Sequence, residues 1–476
     1  MPKTMIERSD TMLTYDLSDA SKGALYETLY KDIRDDIKSG TLKAGEKLPS
    51  KRTLAKNLGV STITVESAYA QLISEGYVYS LPKRGYFVAK LDAPIKAAPA
   101  EKPLDTIILP APRPHYAFDF SRTQTNPDQF PFATWKKLLR EVIAEESQAL
   151  MEKSPSGGVW ALRRAIAGHL RDFRGIDVHP DQIIVGAGTE YLYSLLIQLL
   201  GRDKVYCTEN PGYRKIPQIY RAQGVCCRFA DMDEQGVTVS GLRAAGADIA
   251  HIGPTHQFPT GITMPVSRRY ELLAWASEAD ERTIIEDDYD SEFRLHGRPI
   301  PALQSLDASA SVIYMNTFAK SLSSTVRISY MVLPVALANR FYERLAFYSC
   351  TVSNFEQFTL ARFIDEGYFE KHINRMRLFY ARQRQLVFDA IAQSPLAGLC
   401  DIIEQDSGLH VLLRLHTHRS DAALAAQLNE QGIHLSALSE YYETNAPTAS
   451  HQFLLSYANL DLDALPAALE AVARCL

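Results

Sequence analysis

Asn316-Thr317-Phe318-Ala319-Lys320-Ser321 follows the strand-like run Ser311-Val312-Ile313-Tyr314-Met315. Upstream, the run Thr283-Ile284-Ile285 leads into an acidic and aromatic cluster, Glu286-Asp287-Asp288-Tyr289-Asp290. Because β-branched and aromatic residues favour strands, both groups of polar side chains are expected where a strand ends. The two stretches supply a lysine amine and several carboxylates as candidates for a chemical site.

Outward from these stretches, short β-rich runs alternate with helical segments. The runs are Ile183-Ile184-Val185, Lys204-Val205-Tyr206-Cys207, Asp248-Ile249-Ala250-His251-Ile252, Thr283-Ile284-Ile285 and Val312-Ile313-Tyr314. Such alternation predicts an α/β domain with a mainly parallel sheet. We expect this domain to span residues 117–476.

The bulk composition indicates a multidomain globular protein. A chain of 476 residues is too long for one ordinary core, which predicts two domains. Hydrophobic residues make up 46% of the chain and charged residues 22%, as in a globular protein. The net charge is −5, but residues 1–90 carry a small basic excess, so a nucleic-acid partner is expected at the N-terminus.

Cysteines and hydropathy give no sign of a metal site or a membrane segment. The six cysteines form no CxxC pair and no metal-ligand spacing, which is typical of reduced thiols in a cytoplasmic protein. The N-terminus has no apolar signal core, and no apolar run is long enough to span a bilayer. We expect a cytoplasmic protein without a metal ion.

The N-terminal pattern predicts a winged helix-turn-helix over residues 16–90. Leu25, Leu29, Ile33 and Ile37 recur every four residues, which predicts a helix over 24–40. A second helix starts at Ser50 as N-cap and ends at Gly59, and a third runs from Val60-Ser61 to Gly76. A hairpin follows, with its turn at Pro82-Lys83-Arg84-Gly85. Residues 91–116, rich in proline and alanine, are expected to form a linker.

Residues 48–61, 68–72 and 75–77 closely resemble the GntR family of bacterial regulators. The resemblance implies a double-stranded DNA operator as partner, with the third helix in the major groove. Ser61, Thr62 and Thr64 are then expected to face base edges. Lys51, Arg52, Lys83 and Arg84 are expected to contact the DNA backbone or nearby bases.

One departure affects the operator. Many family members carry arginine early in the recognition helix, where this chain has Thr62, and Glu66 follows one turn later. Threonine discriminates between bases less strongly than an arginine that makes two hydrogen bonds to a guanine. The operator sequences of relatives therefore do not predict the operator of this chain. The alternative interpretation is a protein-binding winged helix with solvated basic residues.

Residues 118–476 resemble fold-type I aminotransferases, in the MocR subgroup of GntR regulators, with the closest likeness to the GABA-responsive GabR. Residues 184–189, 210–214, 254–261, 264–269, 285–293 and 327–330 carry this likeness. It implies a domain that binds pyridoxal 5'-phosphate (PLP) and a head-to-tail homodimer.

PLP is an aldehyde that a lysine amine holds as an internal aldimine, and the resemblance assigns that lysine to Lys320. It also assigns Asp287 to the pyridine nitrogen, Tyr289 to the ring hydroxyl and Tyr213 to the ring face. The phosphate is expected at the glycine turn before the next helix. The residues expected there are Gly188, Thr189, Glu190, Thr317 and Arg327.

The effector end departs from the GABA-responsive relative. That relative has two arginines suited to grip a carboxylate, where this chain has Lys215 and Asn459. Arg122 or Lys215 could substitute, and His256 is either a pocket residue or a structural histidine. GABA is therefore not the expected effector.

The leading hypothesis is a PLP-dependent transcriptional regulator in which an amine or amino-acid effector displaces Lys320 and the DNA heads respond. A sensor of PLP itself is a second hypothesis, favoured by the lost carboxylate clamp. A working aminotransferase with a DNA-binding appendage is the third, although Asn459 in place of arginine argues against net turnover.

Overall fold

The structure, a computed structural model, describes residues 13–15, 17, 25–91, 107–112, 114–121, 124–294, 300–403 and 408–476. Contacts divide the chain into two compact units, Met1–Arg113 and Pro114–Leu476. Much of the expected linker at 91–116 and the expected start of the winged helix at residue 16 lie outside the described residues, so both boundaries stay predictions.

The described part of the N-terminal unit contains a three-stranded sheet and three helices. In chain order they are α1 (Leu25–Ser39), β1 (Lys47–Leu48), α2 (Lys51–Leu58), α3 (Thr62–Ser74), β2 (Val78–Leu81) and β3 (Gly85–Val88). β3 lies between β1 and β2 and pairs antiparallel with both. The sequence predicted the helices and the hairpin, but it missed β1.

Local sequence explains where these helices start and stop. Leu29, Ile33 and Ile37 of α1 are buried, as their four-residue spacing requires. The Ser50 side chain caps α2 by accepting a hydrogen bond from the Thr53 N–H. Gly59 ends α2 in the left-handed region at φ 67°, which a glycine adopts without strain.

The C-terminal unit is an α/β domain. Its elements up to residue 332 are β4 (Phe118–Asp119), α4 (Phe132–Glu145), α5 (Ser147–Met151), α6 (Trp160–Arg174), β5 (Ile183–Gly186), α7 (Thr189–Leu200), β6 (Val205–Asn210), α8 (Lys215–Ala222), β7 (Cys226–Asp233), β8 (Gly236–Val237), α9 (Val239–Ala244), β9 (Ile249–Ile252), α10 (Val266–Ser277), β10 (Thr283–Asp287), β11 (Val312–Thr317), α11 (Phe318–Ser321) and β12 (Ser329–Val332). The later elements are α12 (Val335–Leu345), α13 (Asn354–Asp365), α14 (Tyr368–Gln393), β13 (Cys400–Ile403), β14 (His410–Leu415), α15 (Asp421–Glu430), β15 (Ile433–His434), β16 (Gln452–Ser456) and α16 (Leu465–Cys475).

The large sheet has eight strands in the order β5-β12-β11-β10-β9-β6-β7-β8. The pairs β11–β10, β10–β9, β9–β6 and β6–β7 are parallel, which confirms the mainly parallel sheet. Strands buried on both faces read as continuous apolar runs, which is why the sequence showed them clearly. The carboxyl ends of parallel strands share one edge, where ligands bind in α/β folds.

A smaller antiparallel sheet, β13-β14-β16, belongs to the last part of this unit. β15 pairs in parallel with β4, which ties the start of the unit to its end. Across the described residues, the helices are all too short or too polar to cross a bilayer.

Candidate functional site

Lys320 lies at the carboxyl edge of the large sheet, in the short helix α11 directly after β11. The Thr317 hydroxyl caps that helix by accepting a hydrogen bond from the Ala319 N–H at 3.1 Å. The lysine lines a cavity of about 280 Å³. Burial lowers the pKa of Lys320, with Asp290 opposing the shift. A lowered pKa makes the amine a better nucleophile near neutral pH.

Asp287 ends β10 and lines the same cavity. Its Oδ2 accepts a hydrogen bond from the Tyr193 hydroxyl at 2.8 Å, and His251 Nε2 lies 3.4 Å away. Its Oδ1 is buried and has no protein partner. A buried carboxylate oxygen without a donor fits a protonated ring nitrogen, so Asp287 suits the pyridine end of PLP.

Another part of the cavity wall offers donors for an anion. Gly188 and Thr189 begin α7, whose first N–H groups have no partner within the helix. Gly188 has φ 91°, a backbone conformation that favours glycine, and the Arg327 guanidinium lies directly against it. The Thr317 hydroxyl also lines the cavity and accepts a hydrogen bond from Ser329 Oγ at 2.8 Å. Helix N-terminus, guanidinium and hydroxyl together suit a phosphate.

Two tyrosines predicted for the ring of the cofactor line the cavity. Tyr213 is half-exposed, and its ring meets Phe258 edge-on, with centroids 5.7 Å apart. The Tyr289 hydroxyl lies 2.9 Å from His256 Nδ1. Lys320, Asp287, the phosphate donors and both tyrosines therefore surround one space, although their individual roles stay predictions.

The residues predicted for the effector are not all brought together. Lys215 lines the cavity and forms an ion pair with Glu190. His256 is not a lining residue of this cavity, because it is buried against Asp290, with Nδ1 2.9 Å from Oδ2. Asn459 follows the end of β16 and is also not a lining residue. Arg122 lies outside the described residues.

Sequence reasoning missed several residues of the cavity wall, among them Tyr193, His251, Glu209, His410 and Ser456. His410 and Ser456 are paired across β14 and β16. Tyr193 follows Thr189 by one helical turn, and His251 ends a predicted strand, so both had a usable local signal. Nothing local marks His410 or Ser456, since only the folded chain brings them to Lys320.

The pKa values of Glu209 and His410 are shifted by burial. Glu209 Oε2 accepts hydrogen bonds from the Gly253 N–H and Gln257 Nε2, both at 3.2 Å, while Oε1 is buried without a partner. Burial raises the pKa of Glu209 to about 8. Burial lowers the pKa of His410 to about 3, so this ring is neutral. His410 Nε2–H donates to the Pro259 carbonyl at 3.0 Å.

In the N-terminal unit, α3, which is the predicted recognition helix, begins at Thr62 with Ser61 as its N-cap. The Ser61 hydroxyl accepts from the Thr64 N–H at 3.1 Å and lies 2.8 Å from the Thr64 hydroxyl. Ser61 and Thr64 therefore cap the helix, while Thr62 and Ile63 are exposed. The sequence did not point to Ile63 as a candidate DNA contact. In the structure this residue is 73% exposed.

Basic residues border this helix. Lys51 Nζ lies 2.5 Å from Glu66 Oε1 and 5.8 Å from the centre of the Tyr86 ring. Arg52 is exposed at the first turn of α2, and Lys83 and Arg84 are exposed in the turn between β2 and β3. Lys51 thus forms an ion pair with Glu66, which the sequence did not predict.

Comparison with known proteins identifies both units. Residues 25–88 match the model of bacterial regulatory proteins of the gntR family, and residues 123–472 match aminotransferase class I and II. The regulator described as a probable rhizopine catabolism regulatory protein, MocR of Rhizobium meliloti, is 34% identical, covering 92% of this chain and 90% of its own. The chain belongs to the MocR subgroup of gntR-family regulators.

Two further matches agree with this MocR-type architecture. An uncharacterized HTH-type transcriptional regulator of Bacillus subtilis strain 168, YhdI, is 36% identical, over 93% of this chain and 94% of its own length. The kynurenine aminotransferase of Pyrococcus horikoshii is similar in fold, with a TM-score of 0.65 at 23% identity, over 75% of this chain and 90% of that one. This MocR-type chain is an HTH-type transcriptional regulator with an aminotransferase-like domain, while the closer likeness to GabR stays a prediction.

Proposed function

We propose that this regulator binds a double-stranded DNA operator and senses an amine or amino acid, or PLP itself, through PLP attached to Lys320. The observation that carries the proposal is the convergence on one cavity. The Lys320 amine, the Asp287 carboxylate with its unpartnered oxygen and the anion site of α7 and Arg327 all line it. We further propose that the protein is a cytoplasmic homodimer.

Bound PLP supplies an aldehyde that primary amines capture and a ring that withdraws electrons. Lys320 would hold the cofactor through its amine. Asp287 would hold the ring nitrogen, and Tyr193 and His251 fix the orientation of the Asp287 carboxylate. The first turn of α7 and Arg327 would hold the phosphate.

Regulation requires the effector to bind two states of the protein with different affinities. An amine bound in the cavity would change what fills the space beside α11. We propose that its binding biases the C-terminal unit between two states that present the DNA-binding helices differently. By reciprocity, operator DNA then changes the affinity for the amine by the same factor.

Two alternatives differ in what they predict. A sensor of PLP responds to the cofactor alone, and the pairing of Lys215 with Glu190 favours it, because no lysine is then reserved for an effector carboxylate. An aminotransferase converts amino acids catalytically, and it needs a grip on the substrate carboxylate.

The test is a titration of PLP-loaded, full-length protein with ethanolamine, ethylamine, 4-aminobutanoate and glycine, while the visible absorption spectrum is recorded. DNA binding is then measured on duplexes selected from a random pool, with and without the responding amine. We expect one amine class to change both the spectrum and the DNA affinity. A DNA response to PLP alone would establish the cofactor sensor. Accumulation of a carbonyl product over many turnovers, with a 2-oxo acid added to accept the amino group, would establish the enzyme.

A further inference from the structure

One carboxylate, Glu190, contacts two cations at the mouth of the cavity. Its Oε1 pairs with Lys215 Nζ, and its Oε2 lies 2.8 Å from Arg327 Nη2. All three side chains line the cavity, and all are partly exposed, at 37% for Glu190 and 49% for each cation. Lys215 and then Arg327 lower the pKa of Glu190, so it carries a full negative charge at neutral pH.

A phosphate changes how this charge is shared. Arg327 adjoins Gly188 at the start of α7, in the anion site described above. A phosphate there competes with Glu190 for the guanidinium and repels its carboxylate. Lys215 lies on α8 and pairs with the other carboxylate oxygen, so Glu190 keeps that partner. When PLP is bound, the ion pair that remains is the one with Lys215.

The rest of the described cavity wall carries further carboxyl groups. Asp287 and Asp290 line it together with Glu190, and so does Glu209, whose pKa burial raises to about 8 so that it keeps its proton near neutral pH. The lysines and arginines of the described wall are Lys215, Lys320 and Arg327, with His251 and neutral His410 beside them. Because Lys320 and Arg327 serve the cofactor, Lys215 is the described lysine or arginine left near an effector, and Glu190 already pairs with it.

We infer that Glu190 sets the charge preference of the effector site, by keeping Lys215 paired so that the cavity selects amines without a carboxylate. The inference rests on the proposed function, because it assumes that an amine effector reaches a PLP-loaded cavity. The chemical class is a primary amine whose other substituents are neutral or hydroxylated. An amino-acid carboxylate meets no unpaired lysine or arginine in the described part of the cavity wall, apart from those assigned to the cofactor, and its desolvation is costly unless it is paired.

The opposing possibility is that Lys215 swings away from Glu190 to an effector carboxylate. Lysine has a flexible stem, so reach alone does not prevent this exchange. Glu190 would then face the phosphate without its lysine. The two possibilities predict opposite effects of removing the charge of Glu190.

The test compares 4-aminobutanoate with 4-aminobutanamide, which differ in charge but hardly in shape. Full-length wild type, Glu190→Gln, Glu190→Asp and Glu190→Gln with Lys215→Gln are titrated with each amine at saturating PLP, and the apparent Kd is read from the visible spectrum. In the wild type we expect the amide to bind more tightly. Glu190→Gln should shift the ratio of the two Kd values towards the acid by about tenfold or more, about 1.4 kcal/mol.

Two controls make the result specific. Glu190→Asp keeps the charge and should retain the wild-type preference, and Lys215→Gln in the double variant should cancel the shift. A second readout uses the cofactor-free protein with inorganic phosphate: Glu190→Gln should raise the thermal shift produced by phosphate, since Arg327 loses its internal partner.

The outcomes separate this inference from the proposed function. A wild type that prefers the acid, or a Glu190→Gln ratio equal to that of the wild type, overturns the role of Glu190 while leaving amine sensing intact. A shift that survives Lys215→Gln also overturns it. If PLP-loaded wild type responds to neither compound nor to any other amine, amine sensing fails and the inference fails with it, while sensing of PLP itself is the part of the proposed function that remains.

Discussion

The recognition helix and the cofactor cavity hold their functional side chains in opposite ways. On α3, Thr62 and Ile63 are exposed at the start of the helix, whose cap is supplied by Ser61. In the cavity, Asp287 is fixed by the Tyr193 hydroxyl at 2.8 Å and by nearby His251. An exposed residue can change with little effect on folding, whereas residues in one network affect one another. The contrast teaches that operator preference can vary independently of stability, while cofactor chemistry cannot.

The largest expected effect is at Lys320. Lys320→Ala should lose the attachment of PLP inside the cavity that survives at one equivalent of cofactor, because the resemblance assigns that bond to Lys320. The measurement is the mass of the protein after incubation with PLP and borohydride, with Lys215→Ala, which lines the same cavity, as the control that keeps the adduct. If Lys320→Ala still gains the mass of the cofactor at another cavity residue, the contrast with α3 is wrong, because a second residue can then take the place of Lys320.

Basic residues of the N-terminal unit should govern affinity for all DNA sequences. Arg52→Gln with Lys83→Gln should weaken binding about tenfold or more and flatten the salt slope by about 2, if each contacts one phosphate. The measurement is the binding constant of the full-length protein at several salt concentrations, with Lys137→Gln in the C-terminal unit as control. An unchanged salt slope would count against this docking surface.

Buried Glu209 should make stability depend on pH. Because burial raises its pKa to about 8, the folded protein keeps a proton that the unfolded chain loses at lower pH. The free energy of unfolding therefore falls as pH rises from the ordinary glutamate range towards 8. Glu209→Gln mimics the protonated form, so it should be more stable than wild type by about 1–3 kcal/mol near pH 9 and similar near pH 5.

Denaturant unfolding at both pH values measures this difference, with Glu234→Gln, exposed in the turn after β7, as the matched control. An equal effect of Glu209→Gln at both pH values would show that the cavity tolerates an ionised Glu209. It would then weaken the contrast between the buried cavity and the exposed start of α3.

The smallest effect is expected at Thr62. Thr62→Val should alter preference at one base pair by roughly 1 kcal/mol and leave the melting temperature unchanged, because the side chain is exposed. Ser61→Ala should instead cost about 1 kcal/mol of stability, since its hydroxyl caps α3. Selection of operators from random duplexes, beside thermal unfolding, tests both. A stability loss at Thr62 equal to that at Ser61 would remove the distinction between reading and capping residues.

The sequence by itself predicted most of the helices and strands discussed above, and it pointed to candidate residues at their ends. Caps, glycines and apolar periodicity are local signals, so α1 to α3, the hairpin and the buried parallel strands could be predicted within a few residues. The roles of Lys320, Asp287 and Gly188 were predicted from the family resemblance, and the fold places all three in the wall of one cavity, at a strand end or a helix start. Where Ser61 and Thr64 were expected to face DNA, one local contact between them was overlooked.

Only the tertiary structure decided which distant residues meet. The Glu190 carboxylate between Lys215 and Arg327 joins three separate elements, and His410 opposite Ser456 joins two strands of the smaller sheet. The sequence left His256 open between a pocket residue and a structural histidine, and the fold packs it against Asp290 and Tyr289. Such pairings depend on the summed burial of many side chains, and no short window of sequence contains that information. The sequence therefore predicted the kind of chemistry. The ion pairs of Glu190, which we propose to set the ligand preference, arise only from the fold.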